Sequence, residues 1–441
     1  MSQHDLTIDN QGFPAFRSDL NSALQALGTQ ASGATEPTTT FAYQVWADTA
    51  NDLLKLRNAA DSAWISVYTL STGTPAGVGS TVQAYDSNLT SFVSAFTLPT
   101  SDGTVGQVLT TNGSGTISFS SLSTTTYGLF RKASPSSVAW TKTGNGTATS
   151  ATTIYVEVNG TVLTIASGTS IDMPSLTAGT DYAIWAETDG SLQASSNHTT
   201  PPSANARKVG GFHYAAGSNA TGQSGGNTTA QINEYSFWDL KFRPSCDPRG
   251  MTLVAGGFWA DIYLTGVDHH TNGTSKYNVT IADGSSPPKV PSNFGGNGST
   301  TYGSYTWFET QELLASHGKR TPTQQEFMAL AFGTTEASSI GSDPSTTNWD
   351  SAYVSKWGCN QSSGCLWIWG IERGGAYATG GWNANTEGRG SEYNAPNAVL
   401  FGGTWSDGSN AGSRCSLWTN SASSSGTVIG SRGVCDHLIL D

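Results

Sequence analysis

Five cysteines, Cys246, Cys359, Cys365, Cys415 and Cys435, are the residues best suited to nucleophilic, redox or metal chemistry. Their number is odd, and the opening "MSQHDLTIDN" has neither a basic region nor an apolar run, which argues against Sec export and against a disulfide framework. Their spacing fits no zinc pattern, so buried thiols are expected. His269 and His270 adjoin in "GVDHHTNG". Neighbouring side chains on an extended chain point opposite ways, which suits metal ligation poorly. Glu309, Glu312 and Glu326 fall on segments expected to be helical, where solvated faces or helix-end charges account for them. No "GxSxG" elbow with suitable partners is present, and "FGGNGS" lacks the Lys-Ser/Thr of a phosphate loop. The Asp/Asn-rich loops lack the twelve-residue calcium pattern with its closing Glu. These residues assemble no active site, so no catalytic residue, metal ligand or cofactor is expected.

The elements that would position any chemistry are short strands and turns. Of 441 residues, only 12% are charged and 36% hydrophobic, yet there are 14 Trp, 15 Tyr and 16 Phe, enough to fill real cores. Gly numbers 52, and Ser, Thr and Asn are frequent, as turns between short strands require. The net charge of −12 and the lack of a Lys/Arg cluster exclude a phosphate-neutralising surface, so no nucleic-acid partner is expected. No stretch is apolar for long enough to span a membrane, and membrane insertion is not expected.

Along the chain, "FPAFRSDLNSALQALG" puts Phe16, Leu20, Leu24 and Leu27 on one helical stripe, with Gly28 as its C-cap. The next segment reads as a small β-meander carrying Trp46 and Trp64. Residues 71–126 are Gly/Ser/Thr-rich and read as a linker or thin shaft. Residues 127–200 read as a β-sandwich, with Asn159-Gly160 as a type I′ hairpin signal and Asp189-Gly190 as a second hairpin. From residue 201 two short helices are expected among strands and long loops. One is "YTWFETQELLASHG", ended by Gly318. The other is "TPTQQEFMALAFG", capped by Thr321, with Pro322 at its first position and Gly333 at its end. The class is mainly β with some α.

Certain runs are longer than motifs. "HGKRTPTQQEFMALA", "SGCLWIWG", "LFGGTW" and "SRGVCDHLIL" resemble the landmarks of a C-type-lectin-like fold, in the branch related to formylglycine-generating enzymes. "ARKVGGFHYA", "GGNTTAQINEYSFWDLKFRP" and "DPRGMTLVAGGFWADIYL" resemble the phage major tropism determinants, receptor-binding proteins diversified by a retroelement. That similarity spans about residues 127–441. The first hundred residues depart from that family and resemble the N-terminal module of phage tail fibres.

The resemblance implies a tail-attachment module over residues 1–70, the linker or shaft over 71–126, a sandwich-like intermediate domain over 127–200 and a C-type-lectin-like receptor-binding domain over 201–441. It implies a homotrimeric adhesin of the virion tail fibre. The protein would be made in the host cytoplasm, attach to the tail or baseplate by its N-terminal module, and be exposed to a bacterial cell-surface receptor, protein or glycan. The variable, receptor-contacting positions carried over are Thr404, Ser406, Asp407, Gly408, Asn410, Leu417, Thr419, Asn420, Ser424, Gly426, Val428 and Ile429. Adenine mutagenesis of Asn-type codons cannot produce Trp, Met, Lys, Glu or Gln, and none of these occupies the twelve positions. Trp405, Gly412, Arg414, Trp418, Arg432, Cys435 and His437 would be scaffold. Trp382 and Tyr393 are candidate flanking contacts, with core packing the favoured role for both. Two alternatives belong to other classes. A formylglycine-generating-like oxidase would need a close cysteine pair near the C-terminus, which neither Cys415 with Cys435, twenty residues apart, nor Cys359 with Cys365, before the variable region, supplies in sequence. A glycan-cleaving tail spike would show β-helix repeats, and no such period is present.

Overall fold

The computed structural model describes residues 4–5, 7–28, 30–76, 99–104, 107–121, 128–374, 382–384, 389, 391–393 and 396–440. The chain divides into two units, Met1–Thr124 and Thr125–Asp441.

The first unit begins with the helix Phe13–Gly28 (α1). Its stripe is legible but open to solvent. Ala23 and Ala26 are buried, whereas Leu24 and Leu27 stay 56% and 63% exposed, and Phe16 and Leu20 are exposed too. The expected meander is present as Val45–Asp48, Leu53–Arg57 and Trp64–Thr69, all antiparallel. Trp46 is buried, its ring 5.2 Å from that of Trp64, and Lys55 pairs with the buried Asp48 at 2.7 Å. Within the Gly/Ser/Thr-rich segment, Gln107–Thr111 and Ile117–Ser121 form a hairpin, and residues 77–98 lie outside the described residues.

The second unit opens with two packed β layers. Phe130–Lys132, Ile154–Val158 and Thr161–Ile165 form one small sheet. Asn159 and Gly160, with φ of +50° and +82°, make its two-residue turn, as the Asn-Gly signal requires. Ile154, Val156 and Ile165 pack with Ile184, Ala194, Val209 and Phe212 of a second, larger sheet. The Asp189-Gly190 hairpin is real but not a two-residue turn. Ala186 pairs with Leu192, Gly190 alone has positive φ, and the Asp189 carboxylate accepts the Ser191 N–H and hydroxyl. The side-chain bond holds a five-residue connection in place of the tight one.

The larger sheet has ten strands and continues past residue 200. Its middle is Thr180–Ala186, Arg207–Ala215, Trp238–Asp239 and Phe242–Pro244, followed by Val434–Ile439, Phe258–Asp261 and Met251–Val254. Val434–Ile439 is therefore an interior strand, antiparallel to Phe242–Pro244 on one side and to Phe258–Asp261 on the other.

Two further helices follow. Trp307–Ala315 (α2) starts at a capping box, the Thr306 hydroxyl accepting from Phe308 N–H and the Glu309 carboxylate accepting from Thr306 N–H. Gln324–Leu330 (α3) starts two residues later than expected. Its cap is Thr323, whose hydroxyl accepts from Glu326 N–H while Glu326 accepts from Thr323 N–H. The Thr323-x-x-Glu326 box satisfies two backbone donors, while the Thr321 hydroxyl accepts from Gln311 instead of capping the helix. Glu309 and Glu326 are thus helix caps. Phe327 and Leu330 of α3 bury against Phe401, Val399 and Ile368. Those three belong to a separate four-stranded sheet, ordered Ser416–Asn420, Asn397–Phe401, Trp367–Gly374, Ile429–Gly430.

Candidate functional site

The twelve candidate positions lie on two edges of this four-stranded sheet and on the loops that join them. Thr404 to Asn410 form a loop after Asn397–Phe401. Leu417, Thr419 and Asn420 are on the edge strand Ser416–Asn420, paired Leu400 to Leu417 and Ala398 to Asn420 across a bulge. Ser424, Gly426 and Val428 are on the next loop, and Ile429 begins the opposite edge strand, parallel to Trp367–Gly374.

The first loop is fastened by local bonds and by a distant segment, Glu336 to Gly341. Gly402 and Gly403 have φ of +91° and +84°, and a Cβ on Gly403 would stand 2.7 Å from Ala411 Cβ, so only glycine fits there. The Asp407 carboxylate accepts the Thr404 N–H at 2.7 Å, and Asn410 N–H donates back to the Asp407 carbonyl. Ser339 bridges to the loop twice, donating from its hydroxyl to the Trp405 carbonyl and accepting from Gly408 N–H. Glu336 accepts both the backbone N–H and the hydroxyl of Ser413. Ser339 and Glu336 lie some seventy residues upstream of the groups they hold. No sequence spacing points to them.

The second loop is held mainly through its backbone. Trp307 N–H donates to the Ala422 carbonyl, Gly284 N–H to Gly426 and Trp367 N–H to Val428. Tyr305 N–H donates to the Ser425 hydroxyl. Because most of these bonds use main-chain atoms, side chains at the candidate positions can differ without undoing them.

The side chains divide by exposure. Ser406, Gly408, Asn410 and Thr419 are exposed, and Asp407, Leu417, Asn420, Ser424, Gly426 and Val428 are half-buried. Thr404 and Ile429 are interior, at 5% and 4% exposure. The Thr404 hydroxyl is buried with no hydrogen-bond partner, and Ile429 packs with Trp369, Leu400 and Ala422. Tyr393 is 61% exposed, which corrects the core role expected of it. It pairs through its backbone with Trp382 in a short hairpin. The Trp382 side chain lies outside the described residues.

Beneath the loops the expected scaffold is mostly interior. Arg432 is fully buried, and its guanidinium donates to the carbonyls of Asp261, Ile262, Asn360 and Gln361. Gly433 N–H donates to the Asp261 carboxylate, which also pairs with Lys319. Trp259 Nε1 donates to His437 Nδ1 at 2.9 Å. Trp405 and Trp418 are half-buried against the core of α3 and its sheet. Arg414 is exposed, unlike the other scaffold residues.

The residues weighed for chemistry are dispersed. Cys359, Cys365 and Cys435 are buried, and Cys246 and Cys415 are half-buried. Burial pushes the Cys365 thiol far up and the Cys415 thiol to about 11, so neither supplies a ready thiolate. Cys435 meets Cys246, a pairing across the fold that sequence spacing does not reveal. His269 is buried with no partner for either ring nitrogen, while His270 is half-buried. Among the described residues, no group of three or more His, Cys, Asp or Glu is placed to hold a metal ion, and no helix is long and apolar enough to cross a membrane.

Residues 138–239 match the family described as the Mtd second domain. The tail fiber receptor-binding protein of Bordetella phage BPP-1 is 57% identical over 326 residues, covering 71% of this chain and 85% of that protein. Among solved structures, the Major Tropism Determinant I1 Variant aligns with a TM-score of 0.71 at 46% identity, over 91% of this chain and 96% of its own. The P3c Variant aligns with a TM-score of 0.71 at 45% identity, over 93% and 99%.

Proposed function

The chain belongs to the major tropism determinant family of phage tail-fibre receptor-binding proteins, and on that premise we propose that it grips its receptor with the loops and edge strand between residues 404 and 428. It is a phage adhesin that determines host tropism. Its receptor is a bacterial surface protein or glycan, and its mechanism is reversible binding without a catalytic step. The observation that carries this reading is the division of labour in the candidate surface. Main-chain bonds, interior side chains and the half-buried Asp407 carboxylate fix the loops, while the side chains of Ser406, Asn410 and Thr419 are free to vary outward. Binding residues on loops held by a rigid scaffold gain affinity by arriving pre-ordered. Small polar side chains supply adaptable hydrogen bonds, and aromatic groups supply most of the contact energy at such surfaces. Exposed Tyr393 is the candidate aromatic contact.

The adhesin works as a homotrimer of the virion's tail fibre, attached through its first unit. The stripe of Phe16, Leu20, Leu24 and Leu27 on α1, exposed in a single chain, supports assembly through that helix. Several linked weak sites would raise avidity by about 10²–10⁴ over one site.

The test is attachment of labelled full-length protein to a panel of bacterial cells, beside a variant with Ser406, Asn410, Thr419 and Asn420 changed together and Asp407 kept. Loss of attachment with melting temperature and trimer mass unchanged supports the reading. Attachment kept by the variant places the receptor contact elsewhere.

A further inference from the structure

Strand Phe242–Pro244 runs antiparallel to Val434–Ile439 with Pro244 opposite His437. Ser245 N–H donates to the Asp436 carbonyl at 2.9 Å, so the pairing continues by another residue. One step further, Cys246 stands opposite Cys435. The pairs alternate between hydrogen-bonded and non-hydrogen-bonded, and this one falls on the non-hydrogen-bonded kind. There the Cα atoms lie about 4.5 Å apart and side chains on one face approach most closely. That separation lies within the span a disulfide bridges, about 4.4–6.8 Å. The two sulfurs are already 3.2 Å apart, Cys246 donating its S–H to Cys435.

We propose that Cys246 and Cys435 are a redox modification site, joined as a disulfide when the protein meets a small oxidised thiol compound. Cys246 lines a cavity of about 340 Å³ with Lys208, Arg243, Arg249, Asp247 and Trp238. Three cations face one carboxylate there, which favours entry of an anionic disulfide such as oxidised glutathione. The hydrogen bond from Cys246 draws the Cys435 thiol down to about 7 against the opposing push of burial, and Lys319 assists. The same hydrogen bond, with burial, pushes the Cys246 thiol far up. Cys435 therefore ionises first, and the Cys246 proton passes to its thiolate as the Cys246 sulfur, the one that lines the cavity, attacks. That attack breaks the S–S bond of glutathione disulfide, leaves one glutathione on Cys246 and releases the other as a thiol. Cys435 then gives up its proton and attacks the Cys246 sulfur, expelling the second glutathione. Two protein thiols and one small disulfide become one protein disulfide and two small thiols, with two electrons passing to glutathione. The resulting bond closes a loop between positions 189 residues apart and encloses all twelve candidate positions.

The experiment exposes reduced full-length protein to oxidised glutathione and follows intact mass, denatured thiol count and a non-reducing peptide map. The expected product is about 2 Da lighter, keeps three of its five thiols and yields one linked peptide pair joining Cys246 to Cys435. Its melting temperature exceeds that of the reduced protein, and Cys246→Ala abolishes both the link and the difference. Five thiols remaining, a glutathione adduct persisting on Cys246, or a link between other cysteines would each overturn the proposal. Should Cys246→Ala fail to fold, the wild-type peptide map decides the matter alone.

Discussion

Lys319 Nζ stands 2.5 Å from Asp261 Oδ1, and neither side chain reaches solvent. The same ammonium donates to the Gly273 carbonyl, and the other Asp261 oxygen accepts from Gly433 N–H. The ion pair thus ties α2's exit to the strand Phe258–Asp261 and to the segment that carries Arg432.

Removing one partner strands a buried charge, so Lys319→Met should lower unfolding free energy by about 3–5 kcal/mol. The double change Asp261→Leu with Lys319→Met should recover most of that loss. Chemical denaturation of the three proteins measures both effects.

His269 gives the fold a pH dependence. Burial holds its imidazole well below the ordinary 6.5, with the charges of Lys319, His317, Lys276 and His270 adding to the effect. The unfolded chain therefore takes up the proton first. Stability is full above pH 6.5 and is lost as pH falls from there towards the depressed folded value. Melting temperature measured from pH 7.5 down to about 5 should fall in the wild type and fall less in His269→Leu. An equal slope in both proteins would remove His269 as the cause.

Thr404 and Ile429 should separate from the exposed candidate positions. Thr404→Val replaces a buried, unpartnered hydroxyl with a methyl group and should leave stability unchanged or raise it by about 1 kcal/mol, with attachment to cells intact. Ile429→Ala opens a cavity and should cost about 2–4 kcal/mol. Melting curves beside the cell-attachment assay show whether either position acts through contact or through packing.

Gly403→Ala places a methyl group against Ala411 at positive φ. The expected loss is about 1–3 kcal/mol, together with weaker attachment, because the loop that it distorts carries Ser406 and Asn410. Thermal unfolding and the attachment assay on one preparation test the two effects together.

Thr323→Ala removes the α3 cap and should cost about 1 kcal/mol while leaving attachment unchanged. An unchanged melting curve for Thr323→Ala would remove it as the cap.

Local chemistry was readable in the sequence. The α1 stripe, the Asn159-Gly160 turn and the meander with Trp46 and Trp64 follow from periodicity and turn residues, which act over a few positions. The start of α3 is not legible because Thr321-x-x-Gln324 and Thr323-x-x-Glu326 both read as capping boxes two residues apart, and only the fold commits the Thr321 hydroxyl to Gln311. Cys246 beside Cys435, and Ser339 beneath Gly408, were not readable. Their partners come from strand pairing or loop packing across 189 and 69 residues, where no periodicity operates. The candidate surface itself came from family resemblance. Composition alone gives Ser406 and Thr404 the same character, and only the fold turns one outward and the other in.

The interior position of Val434–Ile439 also governs how the protein can be made. Trp259 and the His437 ring that it bonds are 178 residues apart. At about 5–20 residues per second, the ribosome delivers that strand roughly 10–35 s after its neighbour. Until then Phe258–Asp261 has an unfilled edge and cannot finish folding in order of synthesis. Long-range pairing of this kind folds slowly and exposes open strand edges to other chains. Crowded nascent copies on one message would meet each other during that interval, so yield should depend on translation rate and on chaperone supply.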